Sequence, residues 1–344
     1  MIDWKALEQA PRLLLEVALK PVQGTRFQPT GFPDLGAAEY EAYENGGAVR
    51  MLLVESAQSM ANRMESACWD EARGAPVTAL DGLPYVHVDI TGGGATLTTA
   101  STLEAHRLNS PYVLQGTLGK DTFGDLFERE AGYREGQPVD RVKFVRSVLK
   151  YDPAALLHGV FMSNVGDGRM RLARAVSAFI EARGVGVAQS GGVKNDRVNA
   201  SGETAKGFGN VPFARSEYTA ASITAFFNLD LRQVRGYGLP GAATRLLTAL
   251  ALYKFARLAH EGMRLRTACD LETVKDGVKV TAPEGFALAG LSEIEAELKG
   301  ALAACKAEGL FAEPAVTRLT FTQTGASAKE SKRASKRDKG EGAT

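Results

Sequence analysis

The chain has 344 residues, with 41 Lys+Arg against 40 Asp+Glu, and 44% of its residues are hydrophobic. These values are typical of a globular protein and exclude intrinsic disorder over most of the chain. The net charge of +1 excludes a strongly basic fold, so any site for a polyanion must come from a local arrangement of residues. There is no apolar run of membrane-spanning length, no signal-peptide pattern and no CxxC pair, so we expect a cytoplasmic protein without a membrane partner.

The first predicted elements are a strand over residues 12–20, a helix over 49–69 and a half-buried strand over 85–90. The predicted elements that follow are a strand over 154–162, a helix over 168–182, a strand over 217–232, a helix carrying Leu246, Leu247, Leu250 and Tyr253, a strand over 265–271, and a helix that opens with a Ser292–Glu295 capping box and buries Ile294, Leu298, Ala301 and Cys305.

This order of elements predicts an α+β fold with an antiparallel sheet, because the long strand 217–232 lacks the regular crossovers of a parallel array. One domain is expected over residues 1–322, with polar, Gly-rich insertions near 91–150 and 186–216. Insertions of this length are usually functional. Residues 323–344 carry six basic and three acidic side chains and no large apolar residue, which predicts a disordered basic tail.

Several catalytic and cofactor motifs are excluded or weak. The Gly92–Gly94 loop follows a strand as a dinucleotide fingerprint would, but Leu97 stands where a third Gly or Ala is required. The four histidines show no HExxH motif and no i,i+4 pair, so neither a metal nor a cofactor is expected. A Ser, His, Asp triad dispersed along the chain is neither supported nor excluded.

Three polar segments suit a grip on a nucleic-acid backbone. The first, residues 23–28, combines amide, hydroxyl and guanidinium groups with a glycine that admits close approach and an aromatic ring for stacking. The second, residues 55–63, starts at Glu55 and is rich in amides and hydroxyls where a solvated helix face would prefer Lys and Glu. The third, residues 190–197, displays cations behind a Gly-Gly pair. The run 141–150 is acid-free, and its basic residues, separated by apolar ones, predict a strand with one cationic face.

Residues from these segments, with one further Arg and Asn pair, make up the predicted RNA-binding set. The candidate residues are Gln23, Gly24, Thr25, Arg26, Phe27, Gln28, Ser56, Gln58, Ser59, Asn62, Arg63, Arg107, Asn109, Gly191, Gly192, Lys194, Asn195 and Arg197.

In this order the motifs resemble the RAMP-superfamily backbone subunit of CRISPR interference complexes, the Cas-seven family, and within it the Csb-type protein of type I-G (formerly I-U) Cascade. The text of residues 54–63 is similar to the serine-glutamine-serine helix of that family, and residues 152–162 to its aspartate-led apolar segment. Residues 215–230, followed by a helix over 242–260, look like its last long strand and second helix.

The resemblance implies an RRM-like (ferredoxin-like) palm with thumb and finger insertions. It implies a non-catalytic subunit that oligomerises along crRNA, together with other Cascade subunits, for recognition of target DNA. A backbone grip is consistent with this role, because a subunit that accepts any spacer must leave the base edges free for pairing. Type III relatives cut RNA with an aspartate in an early loop, and we expect the corresponding Asp34 to be structural here.

Two alternatives remain. A RAMP endoribonuclease that processes precursor crRNA would need a histidine close to the grip, and His106 beside Arg107 is the candidate. A nucleotide-binding metabolic enzyme would rest on the Gly92–Gly94 loop alone.

Overall fold

The computed structural model describes residues 2–32, 36–44, 46–92, 95–168 and 170–323. Asp34, the Gly93–Gly94 part of the glycine loop and the tail from residue 324 onward lie outside the described residues. The helices are α1 (Trp4–Gln9), α2 (Ala57–Ser66), α3 (Pro111–Leu114), α4 (Phe123–Glu130), α5 (Arg141–Tyr151), α6 (Pro153–His158), α7 (Leu231–Gly236), α8 (Gly241–Glu261) and α9 (Leu291–Ala307).

The strands range in length from two residues to fourteen. They are β1 (Arg12–Pro21), β2 (Gly31–Phe32), β3 (Gly36–Ala37), β4 (Glu39–Glu44), β5 (Gly47–Glu55), β6 (Trp69–Asp70), β7 (Ala75–Pro76), β8 (Tyr85–Gly92), β9 (Ala95–Ala100), β10 (Thr117–Leu118), β11 (Asp121–Thr122), β12 (Val160–Met162), β13 (Met170–Leu172), β14 (Val176–Arg183), β15 (Gly186–Lys194), β16 (Val211–Thr219), β17 (Ser222–Asp230), β18 (Met263–Arg266), β19 (Cys269–Ala282) and β20 (Val316–Thr322).

The main sheet has seven strands in the order β18-β19-β1-β17-β14-β5-β4, and each neighbouring pair is antiparallel. Burial alternates along its central strands, so one face of the sheet is apolar. Helices α2 and α8 cover that face, and the Phe227 ring of β17 lies 5.0 Å from the Phe255 ring of α8. Helix α8 is buried on nearly all sides, because α2, α6 and α9 also pack on it. The α+β class and its antiparallel sheet are confirmed.

A second sheet pairs the last strand of the described chain, β20, with β8 from its first third. Its order is β11-β10-β20-β8-β9, and β20 runs parallel to β8. Helix α9 precedes β20 and packs on α8, so the C-terminal elements are tied to both layers of the core. The predicted burial of Ile294, Leu298, Ala301 and Cys305 is confirmed. The predicted capping box is wrong, because Gly290 occupies the N-cap and no side chain bonds there.

Four predicted elements change type in the structure. The predicted helix over 49–69 begins only at Ala57, because residues 47–55 pair with both β4 and β14. The predicted helix over 168–182 is instead β13 and β14, since Val176, Ala178, Ile180 and Ala182 also alternate with a period of two.

The predicted strand over 154–162 is mostly the helix α6, which Asp152 caps and Pro153 begins. The run 141–150, expected to be a strand with one cationic face, is the helix α5. Its Phe144, Val145, Val148 and Leu149 are buried while Arg141, Lys143 and Arg146 are exposed. The short strand β12 retains the end of the predicted strand.

The two insertions differ in character. The 91–150 segment contributes Phe123, Phe127 and Phe144 to the core, where their rings contact one another. The 186–216 segment instead forms most of the β15–β16 hairpin, whose residues are mainly exposed. We call residues 186–219 the arm.

Candidate nucleic-acid interface

The loop that follows β1 presents most of the first candidate segment to solvent. Val22 N–H donates to Asp270 O (2.9 Å) and Gln28 N–H to Ala268 O (2.7 Å), so both ends of the loop are anchored on the neighbouring strands. Between these anchors the side chains of Gln23, Thr25 and Arg26 are exposed, and Gly24 adopts a φ of 66°. That left-handed conformation favours glycine and lets the chain reverse.

Phe27 does not offer a stacking face. Its side chain is 1% exposed, and its backbone forms a two-way bridge with Tyr218 of β16, with N to O distances of 2.9 and 2.8 Å. The stacking prediction for Phe27 is therefore wrong, because its ring is buried in the hydrophobic core and is not accessible to a base. Its position explains how the loop is held against the base of the arm.

A shared carboxylate joins this loop to the arm. Glu217 of β16 is 5% exposed, and its carboxylate forms ion pairs with Arg26 Nη1 at 3.3 Å and with Arg215 Nη2 at 2.6 Å. Two guanidinium groups on one carboxylate leave a local excess of one positive charge. The Arg26 side chain remains 54% exposed, so it can reach a phosphate while Glu217 holds it in place.

Beneath the loop lies a buried carboxylate, Glu55, at the end of β5. It is 0% exposed and accepts hydrogen bonds from Thr30 Oγ1 (2.9 Å), Arg63 Nε (3.0 Å), Ser59 Oγ and Arg266 Nη2. Burial by itself would raise the pKa of Glu55, but the Ser59 hydrogen bond and the two arginines outweigh it and lower the pKa. Arg266 Nη1 also donates to Gln28 O at 2.8 Å, which ties the loop to this network.

The Glu55 network uses part of the second candidate segment internally. Ser56 caps α2 by accepting from Ser59 N–H, and Ser59 and Arg63 are bonded to Glu55. The predicted contacts of Ser59 and Arg63 with RNA would require these bonds to be shared. Gln58 and Asn62 are exposed, and Gln58 Nε2 donates to Asn62 Oδ1 at 3.2 Å. Gln58 Oε1 also accepts from Arg174 Nη2 at 2.9 Å, so a ligand on this face of α2 would share these hydrogen bonds.

Arg107 and Asn109 hold the fold together at a different place. Arg107 has a φ of 50° and donates to Glu65 through Nε (2.7 Å) and Nη2 (2.9 Å). Asn109 is 6% exposed and donates to Ser163 Oγ at 2.9 Å. A side chain committed to such partners in a buried setting is unavailable to a phosphate, so we assign both residues a structural role.

The arm carries the third candidate segment. Its strands pair from Gly186 with Thr219 to Lys194 with Val211, which spans about 27 Å at the usual rise per residue. Gly191 and Gly192 lie inside β15 and form no hinge. A Cβ atom at Gly191 would approach Phe213 O to 2.6 Å, so the close pairing of the strands requires glycine there. Lys194, Asn195 and Arg197 are exposed near the tip.

Beyond the paired strands, Asp196 organises the tip of the arm. Its carboxylate accepts the backbone N–H groups of Val198 (2.8 Å), Asn199 (3.0 Å) and Gly209 (2.8 Å). These hydrogen bonds lower the pKa of Asp196, and the bond from the Asn199 N–H has the largest effect. The carboxylate of Asp196 is therefore bonded to backbone N–H groups, and the exposed cations Lys194 and Arg197 flank it in the sequence.

The Glu55 network links residues 23–28 to the start of α2, and the Phe27–Tyr218 bridge links them to the base of the arm. Arg107 and Asn109 instead line a cleft with Arg174. Cross-strand pairing puts Lys194, Phe213 and Arg215 on one face of the arm, with Glu217 and its Arg26 contact at the base of the same face. Arg215 is a residue that the sequence prediction missed. The alternation of Phe213, Arg215 and Glu217 was the available signal, because alternate residues of a strand share a face. We call Arg26, Arg215 and Lys194 the cation line.

A metal centre and a membrane-spanning helix have geometric requirements of their own. Among the described residues, no group of three or more His, Cys, Asp or Glu side chains is placed to hold a metal ion. In the same part of the chain, no helix is long and apolar enough to cross a membrane.

Residues 13–187 match the model of the family described as CRISPR-associated protein GSU0053, which is half of the chain. The chain belongs to this CRISPR-associated family. No curated protein matches it significantly.

Two solved structures are similar to this CRISPR-associated protein. A chain of a "CRISPR RNA-guided surveillance complex, pre-nicking" is 10% identical with a TM-score of 0.36, and the match covers 87% of this chain and 89% of that one. A chain of a "CRISPR RNA-guided surveillance complex" is 13% identical with a TM-score of 0.29, and the match covers 71% of this chain and 60% of that one.

Proposed function

We propose that this protein is a non-catalytic subunit that binds guide RNA and oligomerises along crRNA in a type I CRISPR effector complex. Within its family it would be the Csb-type, Cas-seven backbone subunit of type I-G Cascade. Its partners would be crRNA, the target DNA paired to the guide, copies of itself and other Cascade subunits. Membership of a CRISPR-associated family supports the proposed place in a CRISPR effector complex. The geometry of the arm supports the proposed binding of guide RNA.

The order of strands supports an RRM-like (ferredoxin-like) palm. Strands β19-β1-β17-β14 are neighbours in the main sheet, with α2 between β1 and β14 in the chain and α8 between β17 and β19. A β-α-β-β-α-β core of this kind carries both helices on one face. The β4–β5 hairpin extends the sheet beyond β14, and the arm leaves the palm between β14 and β17.

The single observation that carries the proposal is the cation line along one face of the arm. Glu217 and Val211 lie six residues apart in β16, so the line extends over about 20 Å. Isolated cations at this spacing, with the exposed amide of Gln23 in the same loop as Arg26, suit contacts with successive phosphates and sugars. Such contacts position RNA without reading its sequence, as a subunit that accepts any guide requires.

The alternative, a RAMP endoribonuclease, depends on a histidine. His158 is 2% exposed, and burial lowers its pKa well below the ordinary value, so it is a poor proton donor or acceptor for RNA. His106 is exposed at a cleft lined by Arg174 and Phe161. If the alternative holds, replacing His106 by Ala will abolish cleavage of precursor crRNA by the isolated chain.

The proposal is tested by purifying the protein after co-expression with a CRISPR array, with and without the neighbouring effector subunits. We expect a multi-subunit particle that contains discrete, repeat-derived RNA, detected by its absorbance ratio, its mass and sequencing of the bound RNA. A monomer free of nucleic acid in the presence of all partner subunits would refute the proposal.

A further inference from the structure

A buried lysine lies against a cysteine in the core beside α2. Lys254 of α8 is 1% exposed, and its Nζ donates to Met64 O at 3.2 Å and to Cys68 Sγ at 3.3 Å. Among the residues that the structure describes, no carboxylate lies within ion-pair distance of this ammonium. A buried lysine without an acidic partner is rare, because burial of a charge is costly unless the charge is paired.

Part of this arrangement has a structural explanation. Met64 lies in the last turn of α2, where backbone carbonyls lack helical partners, and a cation there interacts favourably with the helix dipole. The carbonyl of Met64 also accepts from Cys68 Sγ at 3.5 Å. Capping accounts for the contact between Lys254 and Met64, but it does not require a thiol as the second partner of the ammonium.

The three cysteines of the chain differ in their surroundings. Cys269 and Cys305 are buried, and desolvation raises the pKa of their thiols to about 11 and about 12 respectively, which makes them inert. Cys68 is partly exposed. A small cavity lined by Cys68, Lys254, Glu65 and the apolar side chains of Leu80 and Leu83 adjoins the pair, and the carboxylate of Glu65 is bonded to Arg107. A small solute can therefore approach Cys68 where the lysine touches it.

We propose that Cys68 and Lys254 form an oxidation-sensitive pair in which a peroxide joins Sγ to Nζ through one bridging oxygen atom. The distance of 3.3 Å is that of a hydrogen bond, and one oxygen atom bound to both Sγ and Nζ would require only a small further approach of the two side chains. The proposal does not depend on the proposed function, because Lys254 is buried, Cys68 is half-buried beside it, and neither residue belongs to the cation line.

The chemistry balances with two molecules of peroxide. The first oxidises the thiol to a sulfenic acid: an oxygen atom enters the S–H bond and one water leaves. The ammonium of Lys254 then loses a proton to water. The second peroxide takes two electrons as the N–O bond forms, and the hydroxyl hydrogen of the sulfenic acid and one amine hydrogen leave in two waters. Excess thiol reverses the reaction: four thiols are oxidised to two disulfides, and the S–O–N bridge becomes the Cys68 thiol, the Lys254 amine and one water.

The bridge would fasten the segment after α2 to α8. Helix α2 presents Gln58 and Asn62 to solvent, and its packing on β14 and α8 fixes where they lie. Joining Cys68 to Lys254 covalently removes conformational freedom from the unfolded chain, as a disulfide does. We therefore expect the oxidised protein to unfold at a higher temperature than the reduced protein.

The test is mass spectrometry of the full-length protein treated with hydrogen peroxide. We expect an intact-mass change equal to one added oxygen and two lost hydrogens, which dithiothreitol reverses, and a proteolytic fragment in which the Cys68 peptide is joined to the Lys254 peptide. Cys68→Ser should abolish this product. Cys269→Ala and Cys305→Ala, which remove the buried thiols, should leave it unchanged.

Lys254→Arg keeps a cation at the end of α2 but removes the primary amine, so this variant should accumulate only sulfenic, sulfinic or sulfonic acid at Cys68. If it fails to fold, the joined peptide in the wild-type protein decides the matter alone. Addition of one to three oxygens to Cys68 without loss of hydrogen and without a joined peptide would overturn the proposal, as would no reaction.

Discussion

Glu55 and Asp152 are both buried carboxylates, but their surroundings move their pKa values in opposite directions. Glu55 has two arginines and two hydroxyl donors, which overcome the cost of its burial. For Asp152, 1% exposed at the start of α6, desolvation dominates over the hydrogen bonds from Ser101 and the Ala155 N–H and raises the pKa to about 6. Each residue therefore gives the stability of the protein its own dependence on pH.

Replacing Asp152 by Asn should stabilise the protein near neutral pH. The pKa of Asp152 is about 6 when folded and about 3.8 when unfolded, so the native state holds the proton more tightly. Stability from this group is present below pH 4 and is lost as the pH rises through 6, by about 3 kcal/mol in total. Asn caps a helix as well as Asp does. The free energy of unfolding in urea, for D152N relative to wild type, should increase by about this amount between pH 4 and pH 7.

A difference between the two proteins that does not change with pH would contradict the assignment of this titration to Asp152. Asp140→Asn is the matched control, because Asp140 caps α5 in the same manner but is partly exposed.

Glu55→Gln should destabilise the protein strongly. The substitution leaves Arg63 and Arg266, both largely buried, without their carboxylate, and breaking such a pair costs on the order of 3 kcal/mol. Because the folded pKa of Glu55 is lowered, its contribution is present above the unfolded pKa and is lost as the pH falls through the folded one. Urea unfolding should show a loss at pH 7 that shrinks at acidic pH. An equal loss at both pH values would refute the charge-based account.

Residue types and spacing located the polar segments in the sequence. They did not reveal which of the side chains are exposed and which are buried or bonded within the protein. Arg26 and Lys194 were found because cations beside glycines suggest a phosphate grip, and both are exposed. Phe27 and Arg107 are residue types that commonly contact RNA, yet one is in the core and the other is bonded to Glu65. Burial and pairing depend on residues distant in the chain, such as Tyr218 and Glu65, which local patterns do not reveal.

At the scale of elements, the role of the cation line in RNA binding can be tested by removing two of its three charges. Arg26→Ala combined with Lys194→Ala should weaken RNA binding equally for different guide sequences, because both residues would contact phosphates. The slope of log affinity against log salt concentration should become less steep by about 0.7 for each phosphate that the variant no longer neutralises. Fluorescence anisotropy with several guide RNAs, at several salt concentrations, measures both quantities.

The matched control removes the same number of charges elsewhere. Lys299 and Lys306 are exposed on α9, away from the arm. Lys299→Ala combined with Lys306→Ala should leave both the affinity and the salt slope close to the wild-type values. Equal effects of the two double variants, or a loss that depends on the guide sequence, would contradict a backbone grip along the arm.

Elements whose pattern fits only one kind of secondary structure were predicted correctly, and elements that fit two were not. Strand β1 is a short apolar run closed by Pro21, and helix α8 is an apolar stretch of 21 residues, which is too long for a strand. Residues 170–182 fit both a helix and a strand, and pairing with β17 and β5 decided for the strand. For α6, the cap at Asp152 and the Pro153 that follows it were a readable signal of a helix start.

At the scale of the whole molecule, β20 closes the fold. It lies between β10 and β8, and its Thr317 and Leu319 are buried. Sequence patterns predicted α9 but not the return of the chain to β8, because strand pairing between residues more than 200 positions apart leaves no local trace. The first and last thirds of the chain are thus parts of one structure.

Truncation after Ala315 should therefore destabilise the entire protein, while truncation after Gln323 serves as the control that retains β20. Loss of β20 exposes Val86 and Val88 of β8 and removes the ladder of hydrogen bonds with it. We expect a lower thermal unfolding temperature and more rapid proteolysis for the shorter chain only. Equal unfolding temperatures for the two truncated chains would show that the second sheet is dispensable.

The nine cross-strand pairs of the arm also set a unit of length. Because side chains alternate between faces, deleting one pair would turn every residue beyond it to the opposite face, whereas deleting two would keep the faces and shorten the reach by about 7 Å. Insertions in pairs would lengthen it by the same step. The reach of the arm can therefore change only in steps of two residues on each strand if the same side chains are to stay on the same face.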